Sequence, residues 1–194
     1  MKKMNNKGFS LVELIIVIAI MAILAGAIAP ALIRYIDKSR RSNDVTSCKA
    51  IKTAVETALG NESIYEYLTN NSGLTTIKVV PGKSTSTAGG NDAIVITGCS
   101  IDTTNGMAAD IDDKAAKEIG TNIGEKTPKV KFKKSLASSG TITPEAFYAF
   151  VTKKGTVYVV IGSSTCSGSV DATTGAFTCT QGYIICPEIC DEYQ

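Results

Sequence analysis

A single carboxylate, Glu13, stands at the edge of a long apolar stretch and is the residue best placed to do chemistry there. Residues 14–33 carry no charge, and as a helix they would extend about 30 Å, the hydrocarbon thickness of a membrane. A carboxylate beside hydrocarbon is costly unless it is paired. If the chain were cut after Gly8, Phe9 would carry a positive amine one helical turn before Glu13. The spacing therefore predicts a charge pair, within one chain or between two chains, at the end of a membrane helix.

Residues 1 to about 35 resemble the class III signal of type IV prepilins, including the related pseudopilins and competence pilins. The resemblance rests on the basic leader and on Gly8, Phe9, Glu13 and Pro30, which occupy the positions that mark the family. In that family, prepilin peptidase cuts after the glycine and N-methylates the next residue, and the glutamate draws a subunit to the amine of its neighbour. The resemblance therefore implies cleavage between Gly8 and Phe9, methylation of Phe9 and an assembly role for Glu13.

The function implied by this resemblance is that of a structural subunit of a type IV pilus, and not that of an enzyme. The expected protein is a single-pass membrane protein that later joins a homo-oligomeric filament at the cell surface, with its head outside. Its expected partners are other pilin subunits, prepilin peptidase, the assembly platform of the cytoplasmic membrane and, before assembly, membrane lipid. Basic residues flank the span on both sides, so the positive-inside rule does not fix the orientation, which comes from the leader motif alone.

Two other functions fit parts of the same segment. One is a pseudopilin or competence pilin of a type II secretion or DNA-uptake system, which would share the leader. The other is a secreted binding module, because residues 14–24 have the length of a signal-peptide core and Ala25-Gly26-Ala27 has the form of a cleavage site. The mature chain would then begin at Ile28, so its N-terminal residue separates this alternative from a pilin.

Pro30 interrupts the apolar run and predicts a weak point in the helix. Its ring and missing N–H disturb the carbonyl of the residue four positions earlier, Gly26. Pilins of the family that this segment resembles unwind near such a proline, which makes residues 26–30 a candidate for a stretchable segment. A modest kink in an ordinary membrane helix is the alternative.

The composition does not favour an enzyme. None of the 194 residues is a histidine, which removes histidine-based acid–base catalysis and nucleophilic triads. The 20 basic and 18 acidic residues nearly balance, and losing the leader lysines would leave the chain close to neutral. Net charge therefore gives no whole-chain argument for nucleic-acid binding, and no cofactor is implied.

The chain has 6 cysteines, an even number that predicts disulfides in an exported protein. Cys166 and Cys179 bracket the turn-rich residues 168–175 and are the first candidate pair, since they could join two antiparallel strands. The other four could tie the C-terminal segment back to the head and to the long helix: Cys48, Cys99, Cys186 and Cys190. Free thiols are an alternative, and zinc is a weaker one because the spacings contain no paired C-x-x-C motif.

The rest of the pattern predicts an α+β fold, in which a long N-terminal helix packs on an antiparallel sheet. Apolar residues recur at helical spacing after Pro30, and Gly60 with Asn61 gives a stop signal. The expected segments are a leader at 1–8, a helix at 9–60 that includes the span at 14–33, and a head at 61–194. The strand-like runs of the head are residues 74–80, 93–99, 129–133, 146–152, 156–161 and 177–180.

Two charged clusters in the head have structural explanations. Asp110, Asp112 and Asp113 suggest calcium, but Asp110 as the N-cap of a helix with acids in its first turn explains them without metal. Residues 129–134 alternate lysine with apolar side chains, which predicts an edge strand guarded by its lysines. Binding of nucleic acid by the same lysines is the alternative.

Overall fold

The computed structural model describes residues 9–70, 74–85, 93–98, 108–136, 142–171 and 173–193. Gly8, the rest of the predicted leader and Cys99 lie outside the described residues. The chain divides into two compact units, residues 1–39 and 40–194. The predicted α+β class, with a long N-terminal helix and an antiparallel sheet, is confirmed.

Helix α1 spans Leu11–Ala58 and contains Pro30 without a break in its assigned helical structure. The predicted helix at residues 9–60 is therefore correct to within two residues at each end. The helix ends at its stop signal, where the N–H of Gly60 bonds the carbonyl of Thr57 at 3.1 Å. Within the second unit, α1 buries one stripe of side chains at helical spacing: Asp44, Cys48, Ile51, Val55 and Ala58.

Two shorter helices and a 3-10 turn complete the helical structure of the described residues: α2 (Glu62–Thr69), α3 (Ala108–Ile123) and the turn Asp191–Tyr193. The assignment of Asp110 as an N-cap is wrong, because α3 begins at Ala108 and includes Asp110 in its first turn. Ala108 and Ala109 are strong helix formers and carry the helix further toward its N-terminus.

The sheet has five antiparallel strands in the order β2-β1-β3-β4-β5. The strands are β1 (Leu74–Val79), β2 (Ile94–Thr97), β3 (Ala146–Thr152), β4 (Val157–Val170) and β5 (Phe177–Cys186). β1, β2 and β3 lie where the sequence predicts them. β4 and β5 are longer than predicted, because β4 continues through residues 162–170 and β5 through residues 181–186.

The strand predicted at residues 129–133 is wrong, although its alternation is right. Val130 and Phe132 are buried and the lysines between and beside them are exposed, but no neighbouring strand pairs with this segment. The backbone N–H groups of Lys131 and Phe132 bond a side-chain carboxylate on α1 instead of a strand. The segment is therefore extended chain held to a helix.

The two faces of the sheet have different neighbours. The inner face packs against α1, α2 and α3 through alternate strand residues: Ile77, Val79, Phe147, Ala149, Val151, Val159, Ile161 and Tyr183. The outer face carries a smaller apolar cluster around Tyr148, Phe150 and Val160. Phe177 of β5 packs on Phe150, with ring centroids 5.3 Å apart, so the far end of the β4–β5 hairpin lies against the outer face.

The β4–β5 hairpin bends at an irregularity in its register, between the pairs Gly162↔Gly182 and Ser167↔Thr180. Four residues of β4 there face Gln181, whose φ of 60° is the only left-handed value among the described non-glycine residues. Such bulges bend and twist a strand. The bend brings the distal half of the hairpin toward the outer face.

Candidate functional site

Glu13 lies in the first turn of α1, where its carboxylate accepts a hydrogen bond from the N–H of Ser10 at 2.9 Å. This contact is half of a capping box, in which the third residue of a helix bonds back to the N-cap. Phe9, the residue immediately before Ser10, is 85% exposed. The described structure therefore places both Phe9 and Glu13 at the N-terminal end of α1, while Gly8 lies outside the described residues.

The N-terminal part of α1 is apolar on every side and is not covered by the rest of the described chain. Its large apolar side chains between Leu11 and Ile33 are 47% to 73% exposed. By length and composition, α1 is the only helix of the described residues that could cross a membrane. A helix with apolar side chains all round is stable when membrane or other protein surrounds it. This segment therefore needs a cover that the chain itself does not supply.

Gly26 and Pro30 lie within this uncovered part of α1. A side chain at Gly26 would meet no atom within 4 Å, so packing does not require glycine at this position. The stretchable segment remains a prediction, since the helical assignment continues through both residues.

Asp44 is a buried carboxylate that the sequence analysis missed. Its two oxygens accept hydrogen bonds from the N–H groups of Lys131 at 2.9 Å and Phe132 at 2.8 Å, and from the hydroxyl of Tyr193 at 3.0 Å. Burial raises the pKa of Asp44, and the N–H donors oppose that rise. The position could have been noticed, because Asp44 falls on the same helical stripe as Cys48 and Ile51.

Aromatic side chains surround the Asp44 carboxylate. Tyr193 is buried and meets the ring of Phe132 edge-on at 6.1 Å and the ring of Tyr183 at 5.7 Å. Burial raises the pKa of Tyr193, and the nearby Asp44 carboxylate raises it further. The guanidinium of Arg41 lies 4.9 Å from the centre of the Phe132 ring. Asp44 thus joins α1 to residues 131–132 and to the C-terminal turn.

The candidate pair Cys166 and Cys179 lies together on β4 and β5, with the two sulfurs 3.5 Å apart. The hydrogen bond between the two thiols raises the pKa of Cys166 and lowers that of Cys179, and burial adds to the rise at Cys166. Two glycines make room for the sulfurs: a Cβ at Gly162 would lie 2.6 Å from the Cys166 sulfur, and one at Gly182 would lie 2.8 Å from the Cys179 sulfur. No disulfide is formed among the described cysteines.

The other described cysteines lie near the contact between α1 and the end of β5. Cys48 and Cys186 are both buried, and burial raises the pKa of each. The N–H of Cys190 bonds the carbonyl of Ile184 at 2.9 Å, which holds the C-terminal segment alongside β5. The predicted link between this segment and the helix therefore stays a prediction, and Cys99 lies outside the described residues.

We expect at least one disulfide in protein extracted from cells, with Cys166–Cys179 as the first choice. Closing a loop of this size stabilises a protein by about 3 kcal/mol in the chain-entropy model. Intact-mass analysis after alkylation without reduction measures the number of free thiols. A Cys179→Ser variant should gain one alkylated thiol, that of Cys166. Alkylation of all 6 cysteines of the unreduced protein would contradict the prediction.

Among the described residues, no three His, Cys, Asp or Glu side chains converge on a point that could hold a metal. Asp112 and Asp113 lie on α3, and the lysines at 129, 131, 133 and 134 are exposed along the extended segment. Among the described residues, neither cluster is accompanied by other groups that would indicate which ligand it binds. The structure therefore adds no support for calcium or for nucleic acid at these positions.

Comparison with known families bears on the N-terminal segment. The prokaryotic N-terminal methylation motif matches residues 3–29, a range that includes Gly8, Phe9 and Glu13. The N-terminal segment of this chain is thus similar to that of type IV pilins. This confirms the resemblance drawn from the leader and from the apolar helix.

The curated relatives that the chain matches include proteins named as pilins or fimbrial proteins. Fimbrial protein Q of Moraxella bovis is 52% identical over 54 residues, which are 28% of this chain and 34% of the relative. Type IV major pilin protein PilA of Myxococcus xanthus is 37% identical over 69 residues, 36% of this chain and 31% of the relative. Prepilin peptidase-dependent protein A of Clostridium perfringens is 41% identical over 69 residues, which are 35% of this chain and 49% of the relative.

The chain thus spans about a third to a half of the length of these relatives. No solved structure matches the chain significantly. The motif match at residues 3–29 therefore bears on the N-terminal segment and not on the head.

Proposed function

We propose that this protein is the structural subunit of a type IV pilus. The observation that carries the proposal is the uncovered apolar part of α1, joined without a break to a helix stripe that is buried in a folded head. A membrane would cover the apolar part before assembly, and the same part of neighbouring subunits would cover it in the filament. The match of residues 3–29 to the methylation motif supports this reading.

Processing prepares the charge pair at the end of α1. Prepilin peptidase would cut after Gly8, and methylated Phe9 would become the N-terminus. Its amine would then lie beside Glu13, whose carboxylate bonds the N–H of Ser10 in the described structure. In an apolar surrounding, an amine and a carboxylate attract more strongly than in water, so Glu13 would guide the amine of an incoming subunit.

The proposed cellular location of the subunit follows from the same apolar part of α1. The subunit would lie in the cytoplasmic membrane through residues 14–33, with its head outside, and would enter an extracellular filament through the assembly platform. A pseudopilin or competence pilin would share all of these steps. The relatives named as type IV major pilins and fimbrial proteins favour the pilus.

The first test is the identity of the mature N-terminus, read by sequencing or by the mass of the terminal peptide. A methylated Phe9 supports the proposal. An N-terminus at Ile28 would instead identify a secreted module with an ordinary signal peptide, and would remove the apolar helix on which the proposal rests.

Gly8→Val is expected to block processing. A peptidase that must approach the backbone closely loses its alignment when the residue before the cut is bulky, and a misplacement of about 1 Å costs roughly a hundredfold in rate. The ratio of precursor to mature chain after a pulse of synthesis measures the effect. Asn5→Val, elsewhere in the leader, should be processed normally. Normal processing of Gly8→Val would show that the cleavage site lies elsewhere.

A further inference from the structure

The outer face of the sheet carries two cavities of opposite charge. One, of about 690 Å³, is lined by Lys153 and Lys154 and by no acidic residue of the described chain. The other, of about 520 Å³, is lined by Glu188 and Asp191 and by no basic residue of the described chain. All four charged side chains are exposed. The outer face therefore has a positive side and a negative side.

An aromatic stack lies between the two cavities. Tyr158 lines both of them, and its ring stacks on that of Phe177 with centroids 4.4 Å apart and planes 13° apart. Both rings are half-buried. An apolar centre with charged groups around it is the usual anatomy of a protein–protein interface.

We propose that two copies of this chain pair through their outer faces about a two-fold axis. In a two-fold contact the same patch faces itself in reverse, so the positive side of one copy meets the negative side of the other. Lys153 and Lys154 of each copy would then face Glu188 and Asp191 of the other, with the aromatic stacks near the axis.

A second copy fits this surface better than a partner of one charge. An acidic partner would match only the lysine cavity, and a basic partner only the carboxylate cavity. A second copy matches both at once, because it carries the two charges in the same arrangement. Charge complementarity of this kind selects the partner and sets its orientation.

The place of this pairing in the cell rests on the proposed function. If α1 forms the filament core, the outer face stays free, because α1 packs on the inner face of the sheet within the head. Pairing of outer faces would then join subunits of adjacent filaments side by side. The pairing itself requires only two folded chains and is measured without filaments.

The test uses two charge-reversed variants of the full chain in detergent micelles. One is Lys153→Glu with Lys154→Glu, and the other is Glu188→Lys with Asp191→Lys. Each variant alone turns attraction into repulsion, so its self-association, measured by sedimentation velocity at low salt, should be about tenfold or more weaker than that of the wild type. An equimolar mixture of the two restores every opposite-charge contact and should associate like the wild type.

Lys117→Glu with Lys126→Glu is the matched control, since it changes net charge equally at exposed residues away from both cavities. It should associate like the wild type. Salt gives a check without substitutions, because about 1 M salt screens exposed charges and should dissociate wild-type pairs. Wild-type chains that stay monomeric, pairs that resist salt, or a mixture that does not regain association would each overturn the proposal. Failure to form filaments would count against the proposed function alone.

Discussion

Glu13→Gln is expected to lower the number of surface filaments by about a hundredfold or more, while leaving the protein folded and processed. Glutamine keeps the shape of the side chain and can still accept a bond from the N–H of Ser10, but it carries no charge. The amine of an incoming subunit would then enter an apolar core without its partner. An unpaired buried charge costs roughly 3–5 kcal/mol, and about 1.4 kcal/mol is a factor of ten in an equilibrium.

Filaments are counted by electron microscopy in cells that carry the variant as their only copy. Glu56→Gln makes the same chemical change on the same helix, at an exposed residue whose described partner is Lys52 at 3.4 Å. It should leave filaments unchanged. Equal amounts of mature protein in both strains would show that the loss lies in assembly. A normal filament count with Glu13→Gln would make Glu13 an ordinary residue at the edge of the membrane.

Asp44→Ala is expected to lower the free energy of unfolding of the head by about 3–5 kcal/mol. The substitution leaves the N–H groups of Lys131 and Phe132 and the Tyr193 hydroxyl without their acceptor. Each buried group left unsatisfied costs about 1–3 kcal/mol, part of which water or local movement recovers. A domain of this size is stable by only about 5–15 kcal/mol. The loss is therefore a large part of the total.

Urea unfolding of the full chain in detergent, followed by near-ultraviolet circular dichroism of the tyrosines, measures this change. Tyr193→Phe removes one of the three donors and should cost about 1 kcal/mol. Glu56→Ala, an exposed acid on the same helix, should change stability by less than about 0.5 kcal/mol. If Asp44→Ala were no more destabilising than Glu56→Ala, the buried carboxylate would not hold the head together.

Regular patterns in the sequence predicted most of the fold. The apolar residues of α1 repeat at helical spacing, and β3 is a run of aromatic and β-branched residues, so local physics fixes both elements. At the candidate assembly site, Phe9 and Glu13 were found because they are close in sequence and lie in a motif. The sulfurs of the disulfide candidates Cys166 and Cys179 lie 3.5 Å apart because the two residues flank one hairpin, while the disulfide itself stays a prediction.

Contacts between distant parts of the chain could not be predicted. Residues 129–133 alternate lysine and apolar side chains, as an edge strand does. The backbone N–H of Lys131 instead donates to the carboxylate of Asp44, which lies 87 residues earlier in the chain. The distal half of the β4–β5 hairpin is rich in Ser, Thr and Gly, and this composition predicts a loop. Paired hydroxyls hold it as strand, with Ser167 and Thr180 oxygens 2.7 Å apart and those of Ser169 and Thr178 2.9 Å apart.

The bond between Asp44 and Tyr193 also sets an order of events during synthesis. Tyr193 leaves the ribosome 149 residues after Asp44, so the carboxylate waits for its third donor while nearly the whole head is translated. If α1 spans the membrane as proposed, a nascent chain would hold an unfinished head beside the bilayer. In the proposed pilus subunit, the head would close only after the turn at Asp191–Tyr193 has been made, so an incomplete chain would lack the finished surface that a filament needs.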